Sequence, residues 1–224
     1  MRAQNDDSPT TVPPRIKRLR AGVRSPGDAE GIGPEDRRHD ERFDGGDLSH
    51  TDLSDVTFER CDLVGLSLHQ ADLRAATFSE SRLERIDAPV LSAPRSVWHD
   101  VVLSGSRIGS AELYESAWRS VELVDCKLGY VNLRGATIRD LRFTRCTVDE
   151  LDLTGAQTLR VAFEGTSVDH LVLAGARLTH TDLRGATLRR ITSIERLAGA
   201  TVGPSQLVEM APLFAAELGI RVED

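Results

Sequence analysis

Histidine and cysteine side chains carry the chemistry that is easiest to recognise in a sequence, because they bind metals and transfer protons. His170 and His180 are ten residues apart, and Cys126 and Cys146 are twenty residues apart. A metal site or a catalytic dyad needs such groups to converge on one pocket. Whether they can converge depends on the structural elements that carry them.

Those elements follow a repeat of five residues. From Phe43 to Leu188 every fifth position is a repeat centre, which makes thirty consecutive steps without an insertion or a deletion. Twenty-seven of these centres carry a large apolar residue, and the exceptions are Ala88, Ala93 and Thr158. A period of five matches neither an α-helix nor an ordinary strand. A register of this length indicates a repeat architecture.

Each five-residue unit predicts one short strand and one bend. The residue two positions before a centre is mostly small or apolar, and the residue between them is often polar, as in Ala71, Asp72 and Leu73. Two inward side chains that flank one outward side chain form a short strand. The other two residues turn a corner, and glycine at the second of them, as at Gly65 and Gly155, suits a turn with positive φ.

The chain resembles the pentapeptide-repeat family in the units "ADLRA" at 71–75, "VNLRG" at 131–135, "LDLTG" at 151–155 and "TDLRG" at 181–185. The resemblance covers about residues 41–190. It implies an all-β fold, namely a right-handed quadrilateral parallel β-helix with four units per coil. Thirty units then give about seven coils.

The spacing of aromatic residues and glycines independently supports four sides per coil. The glycines follow two of the four sets of centres and are absent from the two sets between them, as alternating types of corner require. An aromatic centre also recurs every twenty residues and is expected to stack on one side, at Phe58, Phe78, Trp98 and Trp118.

In this arrangement the groups with recognisable chemistry do not converge. Cys126 and Cys146 stack in adjacent coils at inward positions, where free cysteine packs as a small hydrophobe, and a disulfide is the alternative. A solidly filled solenoid has no pocket for a substrate. We therefore predict no catalytic, cofactor-binding or metal-binding residues and no enzymatic activity. Five histidines fall at corners that face solvent, at His50, His69, His99, His170 and His180.

The composition limits the remaining classes of function. The 224 residues are 40% hydrophobic and 28% charged, which is typical of a globular protein. The net charge of −7 argues against direct nucleic-acid binding. The start of the chain lacks the apolar segment of a signal peptide, and no apolar run is long enough to span a bilayer. We therefore expect a cytoplasmic protein without a cofactor or a membrane partner.

The regions around the repeat divide the chain into three parts. Residues 1–40 contain five prolines and the basic cluster "RIKRLR" at 15–20. They predict a disordered tail, which is either simply solvated or a tether for nucleic acid or a protein partner. Residues 41–190 form the solenoid. Within it, the prolines of residues 86–95 predict either a narrowed coil or a projecting loop.

Residues 191–224 predict an imperfect last coil, one residue out of phase, followed by a C-terminal helix. Ser205 is the expected N-cap, Pro212 is expected to kink or restart the helix, and Gly219 is expected to end it. An apolar stripe on this helix either caps the open end of the solenoid or forms a homodimer contact. The stripe consists of Leu207, Met210, Phe214 and Leu218.

The outward positions provide one acidic face, which either serves solubility and protects the strand edges or binds a protein partner. The primary hypothesis is a non-enzymatic solenoid that presents rigid faces to a partner whose identity the sequence does not give. The resemblance implies an alternative, because some members of the family mimic B-DNA, bind type II topoisomerases such as DNA gyrase and protect them from quinolones. The candidate residues of the acidic face are Asp52, Asp55, Asp72, Glu112, Glu115 and Asp152.

Overall fold

The computed structural model describes residues 11–20 and 22–223. In this part of the chain, strands of two to four residues come first, and from Asp87 to Thr192 strands of six to eight residues begin about every ten residues. A 3-10 helix over Ile194–Leu197 and an α-helix, α1, over Pro204–Glu217 lie near the end. The strands are β1 Ser25–Pro26, β2 Arg37–His39, β3 Glu41–Asp44, β4 Thr57–Glu59, β5 Asp62–Val64, β6 Thr77–Ser79, β7 Arg82–Glu84, β8 Asp87–Ser92, β9 Val97–Ser104, β10 Arg107–Glu112, β11 Ala117–Val124, β12 Lys127–Asn132, β13 Thr137–Thr144, β14 Thr147–Asp152, β15 Gln157–Glu164, β16 Thr166–Val172, β17 Arg177–Asp182, β18 Ala186–Thr192 and β19 Ala200–Thr201.

The strands form two parallel sheets, one of 13 strands and one of six. Through the middle of the solenoid each residue pairs with the residue twenty positions later, as Trp98 does with Trp118 and Leu128 with Val148. Twenty residues are four units of five, so one coil has four sides. The predicted all-β parallel solenoid is confirmed.

The solenoid has about nine turns, more than the predicted seven, because irregular coils extend it at both ends. In the first coil Ser25 pairs with Glu41, only 16 positions later, and in the last Thr181 pairs with Ala200, 19 positions later. The 19-residue step confirms the predicted slip of one residue after the regular repeat. The repeat pattern alone could not reveal the first coil, because that coil lacks the five-residue spacing.

The prediction of a disordered tail over 1–40 is wrong for the residues that the structure describes, and residues 1–10 and 21 lie outside them. Residues 22–40 form the first coil, in which Ile32 is 5% exposed. Gly27 lies against the ring of Phe43, so close that a Cβ atom would approach Cε1 to 2.5 Å. A polar segment without periodicity is ordered here because it covers the open apolar end of a solenoid, which needs a cap.

The core consists of inward side chains stacked coil upon coil. The ring centroids of Phe78 and Trp98 are 4.4 Å apart, and those of Trp98 and Trp118 are 5.1 Å apart. Offset stacking of this kind adds to the free energy gained by burial. Both indoles are satisfied within the core, since Trp98 Nε1 donates to Ser96 Oγ over 2.8 Å and Trp118 Nε1 to Ser116 Oγ over 2.7 Å.

Residues 86–95 remain within the solenoid wall. Strand β8 pairs with β10 in regular register, with Ala88 opposite Ile108. Ala88 and Ala93 are fully buried. The alternative of a projecting loop is therefore wrong, because these residues form a regularly paired coil with small inward side chains. The narrowing of this coil stays a prediction. Proline is compatible with this site because it occupies corner positions.

Helix α1 packs against strand β18 of the last coil. The predicted N-cap at Ser205 is wrong by two residues, because Gly203 is the N-cap and Pro204 takes the first helical position, where no amide hydrogen is required. The helix continues past Pro212, and Gly219 follows it with φ of 66°. Among the described residues, no helix has the length and apolar character needed to cross a membrane.

Candidate interaction surfaces

The histidines and cysteines do not assemble into one site. His170 Nδ1 lies 3.0 Å from Glu150 Oε2, whereas His180 Nδ1 lies 3.4 Å from the amide nitrogen of Val12. Within residues 11–20 and 22–223, no three His, Cys, Asp or Glu side chains are grouped so that they could hold a metal ion. The absence of a metal or catalytic site stays a prediction.

The three cysteines are free thiols inside the solenoid. Cys126 and Cys146 are 1% and 2% exposed, and each Sγ atom donates to backbone carbonyls. The pKa of Cys126 is raised by its hydrogen bond with Cys146 and by burial. The disulfide alternative is therefore not what the structure contains, and the two residues pack as small hydrophobes.

The structure brings the predicted acidic residues onto one face. Asp52, Asp72, Glu112 and Asp152 stand in one row of the parallel ladder, in which Ser92 and Asn132 occupy the intervening coils. Two of these carboxylates accept hydrogen bonds within the face. Arg74 Nη2 donates to Asp72 Oδ2 over 2.9 Å and compensates its charge, and the neutral amide of Asn132 donates from Nδ2 to Glu112 Oε2 over 2.6 Å. Asp55 and Glu115 lie at the adjoining corner with exposed side chains.

Asp152 does not belong to the accessible part of this face. It is only 1% exposed, and Arg134 Nε donates to its Oδ2 over 2.6 Å. Burial raises the pKa of Asp152, but hydrogen bonds from Thr154 and Arg134 outweigh burial and lower the pKa overall. The expectation that this carboxylate faces a partner is corrected, because an ion pair of this kind is a structural element of the corner.

A second surface lies along a corner of the solenoid whose residues recur every twenty positions from Asp40 to His180. None of these corner residues is glycine. The second corner residue of each coil has positive φ, between 49° and 63°, although it is not glycine. This conformation costs about 1 kcal/mol or more in a non-glycine residue. We call these residues the corner ladder, and they are Asp40, Arg60, Glu80, Asp100, Ser120, Asp140, Arg160 and His180.

Residues 11–20, which we call the strap, run along the corner ladder without secondary structure. The amide of Lys17 donates to Ser120 Oγ over 2.9 Å, and the amide of Arg15 donates to Asp140 Oδ1 over 2.8 Å. These acceptors belong to successive coils, so the strap runs roughly along the solenoid axis. Its contacts extend from Thr201 in the last coil, through Thr11, to Arg82, whose Nη2 donates to the carbonyl of Leu19.

Side chains of the strap add apolar and ionic contacts. Pro14 is buried, and Ile16 and Leu19 are half-buried. Lys17 Nζ lies 2.9 Å from Asp100 Oδ2 and 3.4 Å from Glu80 Oε2. The hydrogen bond to Asp100 is the main reason why the pKa of Lys17 is raised. The strap thus covers Asp100, Ser120 and Asp140, which are between 5% and 6% exposed.

Sequence reasoning missed this surface, although one signal was present. The basic cluster at 15–20 and the carboxylates Glu80, Asp100 and Asp140 are complementary in charge, and the carboxylates recur at multiples of twenty residues. The absence of glycine from this corner was also visible. The structure explains why these positions are not glycine, because side chains at this corner, such as those of Ser120 and Asp140, bind the strap.

The predicted stripe on α1 is divided between two environments. Met210 is 2% exposed against the solenoid end and Phe214 is half-buried, whereas Leu207 and Leu218 are 50% and 73% exposed. Gln206, which was not predicted, attaches the helix, because its Nε2 donates to the carbonyls of Leu183 and Ala186 over 2.7 Å each. One side of α1 therefore contacts the last coil, and the other side is open.

Two family models together match most of the repeat. A model described as a pentapeptide repeat region matches residues 96–173, and a model of pentapeptide repeats in eight copies matches residues 42–87 and 160–192. Together these ranges include nearly the whole regular solenoid. No curated protein matches the chain.

Two solved structures illustrate the structural likeness. A trypsin-treated form of QnrB1, a plasmid-mediated fluoroquinolone resistance protein, is 18% identical over 85% of this chain and 93% of its own, with a TM-score of 0.40. HetL, a pentapeptide-repeat protein involved in heterocyst differentiation regulation from the cyanobacterium Nostoc sp., is 21% identical over 78% of this chain and 93% of its own, with a TM-score of 0.27. Likenesses at this level say nothing about the partner of this chain.

Proposed function

Because the chain belongs to the pentapeptide-repeat family, we propose that it is a non-enzymatic protein-interaction module that binds a partner segment in extended conformation. One observation supports this most directly: the corner ladder already holds ten residues of the chain itself in this conformation. The strap is in effect a ligand supplied by the same chain. A partner segment would bind in its place.

The contacts of the strap explain how such a site could accept different sequences. Asp140, Ser120 and His180 accept hydrogen bonds from backbone amides, at Arg15, Lys17 and Val12. Backbone amides are common to all segments except at proline, so they provide affinity without selecting a sequence. Selection would come from the basic side chain at the position of Lys17, which meets Glu80 and Asp100. The partner segment that fits is therefore extended and basic.

A peptide with the sequence of residues 11–20 tests this proposal. The binding of the fluorescently labelled peptide is measured by titration with the full chain and with the variant Lys17→Pro. In this variant the strap loses one amide hydrogen and one ammonium group. We expect the peptide to bind the variant more tightly, because its strap competes less well. The matched control is the same peptide with methyl groups on the amide nitrogens of its Arg15 and Lys17 positions. Equal binding of both peptides, or binding of neither, would contradict the proposal.

The alternative of DNA mimicry needs a continuous row of negative charge along the solenoid. The acidic row is interrupted by Ser92 and Asn132, and Arg74 and Arg134 each pair with one of its carboxylates. This geometry favours an extended-segment partner over a topoisomerase. The alternative stays a prediction, and a DNA gyrase supercoiling assay with and without a quinolone tests it. Inhibition or protection at micromolar protein would support it.

A homodimer through α1 is a second proposal that the exposed side of the helix supports. Leu207, Val208 and Leu218 are between 50% and 74% exposed. Exposed apolar side chains on one short helix are a common feature of subunit contacts. Its test is a measurement of molar mass, which is described below.

A further inference from the structure

Three basic side chains stand directly above one another beside the strap. In the parallel ladder Arg119 pairs in register with His99 on one side and with Arg139 on the other. Neighbouring strands lie about 4.8 Å apart, and like charges at directly opposite positions repel. The ion pairs of the described residues include Arg160 with Asp140 and Arg145 with Asp125, but none that involves Arg119 or Arg139.

The strap and this row of basic side chains together form a groove. Arg15 and Lys17 form one wall and His99, Arg119 and Arg139 the other, around a volume of about 370 Å³. The wall formed by the strap is held in place, because the amides of Arg15 and Lys17 bond to Asp140 and Ser120. We call this feature the arginine groove.

The arginine groove is positively charged in a chain of net charge −7. It is lined by only two carboxylates, those of Asp100 and Asp140, and by five cationic side chains. The five are Arg15, Lys17, Arg119, Arg139 and Arg160. Both carboxylates are already engaged, Asp100 by Lys17 and Asp140 by Arg160. Three cations are left without a carboxylate partner among the described residues: Arg15, Arg119 and Arg139.

We propose that the arginine groove binds a small oligophosphate, whose phosphoryl groups lie between the guanidinium groups of Arg119, Arg139 and Arg15. Guanidinium groups present paired donors that match phosphate oxygens. Two of them on adjacent strands can contact neighbouring phosphoryl groups of one ligand, which also removes their mutual repulsion. The ligand is either an inorganic oligophosphate or the oligophosphate part of a nucleotide, since both present the same chemistry.

The size and surroundings of the groove favour a small ligand over a nucleic acid. Three uncompensated cations occupy only about two strand spacings along the solenoid. Farther along the same row, Arg139 pairs with Leu159 and Leu159 pairs with Thr179, which carry no charge. In the other direction, Glu80 precedes Asp100 in the corner ladder. A long polyanion would extend past the cations onto uncharged residues or toward Glu80, whereas a short one would not.

Binding would also fasten the strap to the solenoid, because Arg15 lies on the strap and Arg119 and Arg139 lie on the wall. An oligophosphate would bridge the two. The two proposals are linked through the strap, because a partner segment that displaced it would remove Arg15 from the groove. Their tests remain separate, because Arg119 and Arg139 are not among the acceptors Ser120 and Asp140 that hold the strap.

Isothermal titration of the full chain with inorganic triphosphate tests the proposal. The double variant Arg119→Gln/Arg139→Gln is compared with the matched control Arg95→Gln/Arg177→Gln, which removes two exposed arginines elsewhere and the same net charge. We expect the affinity to fall by about tenfold or more in the first variant and to stay unchanged in the control. Circular dichroism verifies that both variants keep their β content.

Two further arms of the titration identify the ligand. A nucleoside triphosphate that binds more tightly than triphosphate assigns the ligand as a nucleotide, and equal or weaker binding assigns it as an inorganic oligophosphate. The proposal is overturned if triphosphate does not bind at millimolar concentration, if sulfate at equal ionic strength competes fully, or if both double variants lose binding equally. It is also overturned if a duplex DNA binds the same arginines more tightly than triphosphate does.

Discussion

The backbone amide of Arg15 donates to Asp140 Oδ1 over 2.8 Å, across a sequence separation of 125 residues. The same carboxylate receives Arg160, whose Nη2 lies 2.7 Å from Asp140 Oδ2. One buried side chain therefore holds both the strap and the corner of the next coil. Burial raises the pKa of Asp140, but the hydrogen bonds from Arg160 and from the Arg15 amide outweigh burial and lower it.

Replacement of Asp140 by alanine is predicted to lower the free energy of unfolding by about 3 kcal/mol. The loss is large because Arg160, only 12% exposed at its side chain, keeps its charge without a partner. Denaturant unfolding followed by circular dichroism measures the effect.

The matched control for Asp140 is Asp125→Ala. Asp125 holds Arg145 with a similar geometry, 2.7 Å between Nε and Oδ1, but both side chains are more than half exposed. An exposed pair contributes about 1 kcal/mol or less. Equal effects of the two substitutions would show that burial beneath the strap is not what makes the Asp140 contact strong.

The stability of the solenoid is predicted to decrease in acid. The pKa values of Asp140 and Asp152 are lowered in the folded chain below their ordinary value of 3.8. Each group therefore stabilises the fold fully above that value and ceases to do so as the pH falls through its folded pKa. Urea unfolding from about pH 7 to about pH 3 measures this. The difference in stability between the natural chain and Asp152→Asn is expected to shrink below about pH 4, and a difference independent of pH would refute the explanation.

Removal of the acceptor beneath Trp98 is predicted to destabilise the core. Ser96→Ala leaves the buried indole N–H of Trp98 without its partner, at a cost of about 1–3 kcal/mol. The double variant Ser96→Ala/Trp98→Phe removes donor and acceptor together, so its effect is expected to be smaller than the sum of the two single effects. A double-mutant cycle by chemical denaturation measures the coupling. Additive effects would mean that the hydrogen bond contributes nothing.

Much of the solenoid could be predicted from the sequence because a five-residue period determines which way each side chain points. Trp98 opposite Trp118 follows directly from the twenty-residue spacing. The polar centre Thr158 needed a partner in the core, and its Oγ1 lies 3.2 Å from Thr181 Oγ1. Both contacts join side chains in adjacent coils, so the register of the repeat is sufficient to predict them.

The strap and the first coil could not be predicted in the same way. The strap has no period, and its contacts with Ser120 and Asp140 join residues more than one hundred positions apart. Its amides bond to side chains rather than to another strand, so no strand pattern marks the segment. The burial of Asp152 was missed because the repeat predicts an outward direction and not the arginine that covers it.

The two sides of α1 are predicted to respond differently to substitution. Gln206→Ala leaves two buried carbonyls without their donor, and Met210→Ala leaves a cavity, so each is expected to lower the unfolding free energy by about 2 kcal/mol or more. Leu207→Glu/Leu218→Glu changes only exposed positions and is expected to leave stability unchanged. Light scattering decides the homodimer proposal, which predicts a halved molar mass for this double variant. An unchanged monomeric mass in both chains would contradict it.

Hydrogen exchange of the strap amides tests the central claim, that the solenoid surface holds an extended segment by its backbone. The account predicts that the amides of Arg15 and Lys17 exchange much more slowly than in a free peptide of residues 11–20, and that Asp140→Ala accelerates the exchange of Arg15 while the amides of β11 and β13 stay protected. Exchange of both strap amides at the rate of the free peptide, in a chain whose β11 and β13 amides are protected, would contradict it.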